Sequence, residues 1–101
     1  MTAARLSPRA RDDLLSAMRW IAKDSPASAM ALRDAIADAA RRIATHHDIG
    51  VLRPELADGP YRFLALTGFP YLLVYNADRK PPLILRILHG ARDLPELLTQ
   101  G

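Results

Sequence analysis

The sequence predicts an α+β domain in the order β-α-α-β-β-β-α, with a helical hairpin packed on one face of a small antiparallel sheet. Three observations lead there. Two Ser-Pro steps, Ser7-Pro8 and Ser25-Pro26, each open an apolar pattern of helical period. After residue 60 that period gives way to short β-rich runs separated by turn residues. The 101 residues are enough for one core and too few for two, so helices and strands must share it in a single domain, residues 1–101.

Thr2 to Leu6, ahead of the first helix signal, reads as an edge strand. The Ser7 hydroxyl can then accept from free amide groups while Pro8 fills the first helical position at no hydrogen-bond cost, which sets a helix over 8–23. Ala10, Leu14, Ala17, Met18 and Ile21 form its apolar stripe, and Trp20 flanks the core beside them. Asp12 and Asp13 are assigned to its first turn, where the helix dipole favours anions. Ser25-Pro26 restarts the signal after only Asp24, making an antiparallel hairpin. The second helix runs to about Ala44 with Ala29, Leu32, Ile36, Ala39, Ala40 and Ile43 inward and an Asp38–Arg42 pair at i, i+4.

From Asp48 to Pro60 the periodicity disappears among Gly50, Pro54, Gly59 and Pro60, marking a loop in which Pro54-Glu55-Leu56 can form a single turn. Tyr61 to Leu66, Tyr71 to Tyr75 and Leu83 to Leu88 follow as three antiparallel strands. The middle one is apolar on both sides, as a central strand is. Alternation along the last places Leu83, Leu85 and Ile87 against the helices and Arg86 on the open face. Gly90 ends that strand, and Asp93 with Glu96 three residues on is the acidic analogue of a capping box for a short C-terminal helix.

Composition limits the chemistry. The chain has no cysteine, which excludes disulfides, thiolate metal sites and cysteine nucleophiles and suits a reducing cytoplasm. Its apolar runs are far shorter than the ~20 residues a membrane span needs, so no membrane partner is expected. His46 and His47 adjoin at a helix end without a third ligand, so neither metal nor cofactor is expected. The net charge of +3 is spread over both halves, and no basic tail points to direct nucleic-acid binding.

Together the element order and the segments Arg53-Pro54-Glu55-Leu56, Tyr71-Leu72-Leu73-Val74-Tyr75 and Ile87-Leu88-His89-Gly90-Ala91-Arg92-Asp93-Leu94 resemble the ParE branch of the ParE/RelE toxin superfamily of bacterial type II toxin–antitoxin modules. The resemblance extends from Leu6 to Leu98. It implies a RelE/ParE-like fold and a growth-inhibiting toxin held inactive by a ParD-like antitoxin, whose dimeric ribbon-helix-helix half contacts operator DNA. The toxin itself meets that DNA only indirectly. For the ParE branch it implies DNA gyrase as the target and protein–protein binding as the mechanism. The contact residues would then be Tyr61, Arg62, Tyr75, Arg86, His89, Arg92, Leu97 and Leu98, with no catalytic residue.

The RelE branch implies the alternative, a ribosome-dependent mRNA endonuclease. There His89 serves as acid or base, Arg62 and Arg92 neutralise the phosphorane, with Arg86 available beside them, and Tyr75 stacks on a base or positions the backbone.

Overall fold

The computed structural model describes residues 2–93. Its elements are β1 (Arg5–Leu6), α1 (Pro8–Ala22), α2 (Pro26–Thr45), β2 (Val51–Leu52), β3 (Tyr61–Ala65), β4 (Tyr71–Asn76) and β5 (Leu83–His89), followed by a helical turn at 90–93. The five strands form one sheet in the order β1-β5-β4-β3-β2.

The helix starts are where the Ser-Pro steps put them. Ser7 Oγ accepts from the Ala10 amide at 3.1 Å, and Ser25 Oγ accepts from the Ser28 amide at 3.1 Å. All six inward positions expected on α2 are buried, and Arg42 Nε meets Asp38 at 3.3 Å. Alanines at 10, 17, 29, 39 and 40 keep the hairpin's inner surface low, so the larger Leu32, Ile36 and Ile43 can interdigitate with Leu73, Tyr75, Ile84 and Ile87 from the sheet. This is the main core.

Four details depart from expectation. The sheet is mixed, because β1 pairs parallel to β5 through Arg5–Leu83 and Leu6–Ile84. The expected loop contains a fifth strand, β2, paired antiparallel to β3. Asp12 and Asp13 fall in the second turn of α1, since Pro8 is its first residue. Trp20 is 59% exposed rather than a core flank, with Lys23 Nζ 4.9 Å from its ring centroid.

The largest correction is in β5. Val74 pairs with Arg86 while Tyr75 pairs with Ile84, so Leu85 is an extra residue without a partner on β4. The bulge resets the alternation, and Ile84 and Ile87, of opposite parity in the sequence, both enter the main core. Ser7 secures the bulge from outside, its hydroxyl donating to the Leu85 carbonyl at 3.0 Å.

Nor is the outer face of the sheet bare. Phe63, Val74 and Leu88 are buried there as a second, smaller cluster, with Leu56 and Ala57 from the β2–β3 connection and Tyr61 packed against it. That connection folds over the sheet through a turn in which the Leu56 and Ala57 amides donate to the Arg53 carbonyl.

Candidate functional site

Tyr75 belongs to the core. It faces inward with Tyr71 and Leu73 along β4, is 0% exposed, and sits below the 47–50 segment. Its hydroxyl donates to the His47 carbonyl at 2.7 Å and accepts from the Gly50 amide at 2.9 Å. Gly50 is required by this close approach: a Cβ there would lie 2.8 Å from Tyr75 Cε1 and 3.0 Å from the Phe63 carbonyl oxygen. Arg62, opposite Tyr75 on β3, completes the junction by donating from Nη1 to the Gly50 carbonyl at 2.8 Å. The expected contact role of Tyr75 is therefore corrected. No face of the ring is free to meet a base or a partner.

Burial pushes the Tyr75 phenol above its ordinary value of 10.0, against the opposing pull of its Gly50 hydrogen bond and the nearby Arg62 charge. A proton acid whose folded pKa is raised contributes stability that is complete below the unfolded value and is lost as pH climbs through the folded one. Alkaline titration followed by chemical denaturation should therefore show the wild type losing an increment of stability above about pH 10 that Tyr75→Phe does not lose.

At the other end of β4 a different set collects around α1. Arg86 is paired with Val74, yet its guanidinium reaches Asp13 on α1, Nε to Oδ2 at 2.8 Å and Nη2 to Oδ1 at 3.3 Å. The same Asp13 carboxylate accepts from the Ile87 amide at 2.9 Å. Asp13 thus latches α1 onto the β5 edge, and Arg86 is held by it rather than presented on an open face.

His89 is the cap of the helical turn that begins at Gly90. Its Nδ1 accepts from the Arg92 amide at 3.3 Å, its own amide donates to Asp93 Oδ2 at 2.6 Å, and its ring meets Tyr71 edge-on with centroids 5.2 Å apart. Glu96, the other half of the capping box expected with Asp93, lies outside the described residues. Asp93 lies within the helical residues, and its carboxylate reaches back to the His89 amide.

Asp13, Ser16, Ala17 and Trp20, spaced at i, i+3, i+4 and i+7, form one wall of an open crevice of about 610 Å³. Tyr71, Arg86, Ile87, Arg92 and Asp93 line the rest of it among the described residues. Arg92 is exposed, and Tyr61 is half-buried against the outer cluster. Leu97 and Leu98 lie outside the described residues.

The expected residues do not converge. Arg62 stands opposite Tyr75 and His89 opposite Tyr71, four positions apart along β4, or roughly 13 Å. Sequence reasoning missed Asp13 and Trp20 as members of the site. Their i, i+7 spacing on α1 was a signal that they share a face with Ser16 and Ala17.

The family is decided by a match to the family described as the ParE toxin of the type II toxin–antitoxin system parDE, over residues 4–94. The chain belongs to the ParE toxin family. Among curated relatives of this ParE-family toxin, Toxin RelE3 of Caulobacter vibrioides is 30% identical over 90 residues, spanning 89% of this chain and 96% of that one. A solved structure described as the chromosomal ParDE TA system from P. aeruginosa superposes with a TM-score of 0.70 at 21% identity, covering 88% of this chain and 96% of that chain, and shares the fold. Among the described residues of the ParE-family chain, no group of three or more His, Asp or Glu side chains is placed to hold a metal ion, and no helix is long and apolar enough to cross a membrane.

Proposed function

We propose that this ParE-family toxin acts by binding DNA gyrase in the cytoplasm, and that a ParD-like antitoxin with a ribbon-helix-helix DNA-binding half neutralises it. The observation that carries binding over chemistry is the employment of the candidate catalytic groups. Tyr75 spends its hydroxyl on His47 and Gly50, Arg62 is tied to Gly50, and His89 caps a helical turn roughly 13 Å along the sheet from Arg62. In-line cleavage of RNA needs base, acid and cations around one phosphate. A binding protein needs only exposed anchors and charge, which Trp20, Arg92 and the crevice beside α1 supply. The parDE assignment of the family and the ParDE description of the superposed structure support the antitoxin side of the reading.

The test is plasmid supercoiling by purified gyrase with purified toxin. Inhibition that is relieved by the protein encoded in the adjacent reading frame is the expected result. Full supercoiling with toxin in excess over gyrase would overturn the gyrase assignment.

A further inference from the structure

The solvent side of the helical hairpin carries apolar surface that the core does not use. Leu15 on α1 is 49% exposed and Met30 on α2 is 44% exposed, and with Met18, Ala22 and Ala29 they line a shallow groove of about 350 Å³ between the two helices. Arg19 stands beside them in the same groove. Apolar side chains gathered in one groove, unlike exposed ones scattered singly, mark a surface that meets another molecule.

The charge along α1 says which molecule. Asp12, Leu15 and Arg19 recur at i, i+3 and i+7, which puts them on one stripe of the helix with Leu15 between the two charges. Asp12 and Arg19 are exposed, and neither forms an ion pair among the described residues. No acid lies three or four residues from Arg19 on α1, so its own helix offers it no partner. A stripe with an acid at one end, a base at the other and leucine between them is complementary to itself run backwards. A twofold axis near Leu15 sets Asp12 of each copy opposite Arg19 of the other, about 5 Å along the helix on either side of the axis.

We propose that this face of the hairpin is a contact between two copies of the chain, α1 crossing α1 antiparallel about a twofold axis, with Leu15 of each seated in the other's groove against Met18 and Met30. Methionines, unbranched and adaptable, suit the floor of such a groove. The contact lies on the other flank of α1 from Asp13 and Trp20, and it is independent of what the toxin targets. Roughly three turns of two helices make a patch of about 18 by 20 Å on each copy. That is at the small end for a specific interface, so the dimer dissociates in the micromolar range.

The experiment is sedimentation equilibrium of the purified full-length toxin, without antitoxin, from micromolar to several hundred micromolar. A monomer–dimer equilibrium is the expected result, and Leu15→Asp should leave monomer at every concentration. Asp12→Arg alone, or Arg19→Asp alone, sets like charges opposite each other at both ends of the contact and should weaken the dimer by about tenfold or more. The two reversals together restore the pairing and should restore the dimer, a rescue that a folding defect cannot mimic. All three side chains are exposed, so their replacement leaves the core intact, and thermal melting checks this for every variant. Val51→Lys, at the other exposed apolar site on the β2 edge, is the control and should dimerise as the wild type does. A dimer lost in Val51→Lys and kept in Leu15→Asp would move self-association to the sheet edge and overturn the proposal. A toxin monomeric throughout the range overturns it too, and if Leu15→Asp then also fails to bind the protein of the adjacent reading frame, the groove belongs to that partner instead.

Discussion

Tyr75→Ala is expected to destabilise the protein by about 3–5 kcal/mol, the range for deleting a large buried aromatic. Domains of this size are stable by only about 5–15 kcal/mol in total, so the variant should lie at or near unfolding. Two effects add. The ring fills space between α2 and the sheet, beside Leu73 and Ile84, and its loss leaves a cavity that alanine-rich helices have little side-chain volume to refill. The hydroxyl also satisfies the His47 carbonyl and the Gly50 amide, both of which lose their protein partner with it. Tyr75→Phe separates the two, keeping the packing and removing the hydrogen bonds, at an expected cost of about 1–3 kcal/mol. Urea midpoints at unchanged slope are the readout. If Tyr75→Ala proved as stable as wild type while losing toxicity, the side chain would have to be reassigned to a partner surface.

Asp13→Ala should cost about 2–3 kcal/mol, because one carboxylate holds a charged guanidinium and a backbone amide together. Arg86 keeps about a third of its side-chain surface in water, which absorbs part of the loss and keeps the figure below that of a fully buried pair. Asp13→Asn, which retains an acceptor for the Ile87 amide, should cost less. Hydrogen exchange at Ile87 is the local readout and should accelerate most in Asp13→Ala. Equal protection in both variants would show that the latch contributes nothing to the β5 edge.

These two residues mark where sequence reading stops. The hairpin was legible because serine hydroxyls, proline geometry and the 3.6-residue stripe are all local, and each capped helix start appears where they place it. The central position of β4 was legible from apolar residues on both its faces. The bulge at Leu85 was not, since Leu83 to Leu88 is apolar at either parity and one inserted residue leaves no compositional trace. With the bulge went the orientation of Arg86. Tyr75 was misread for a related reason. Its hydroxyl partners are backbone atoms of His47 and Gly50, far away in sequence, and no side-chain motif announces a backbone acceptor. Trp20 was drawn toward the core by its nearness to the apolar stripe, whereas the hairpin turns it out beside Lys23.

The His-Gly-Ala-Arg-Asp segment, residues 89–93, serves the fold. His89 and Asp93 make reciprocal contacts at the start of the helical turn, His89 Nδ1 accepting from the Arg92 amide and the Asp93 carboxylate accepting from the His89 amide. Both residue types are also familiar in catalytic sites, but here each has a backbone partner within hydrogen-bond reach. The turn they hold places Arg92 at the crevice while the main core stays sealed beneath it.

Mapping the ends of mRNA in a translating extract supplied with purified toxin tests most directly whether these groups work as scaffold or as catalyst. Messages that stay intact at toxin levels sufficient to block supercoiling are the predicted result; toxin-dependent cuts that disappear with His89→Ala would contradict it.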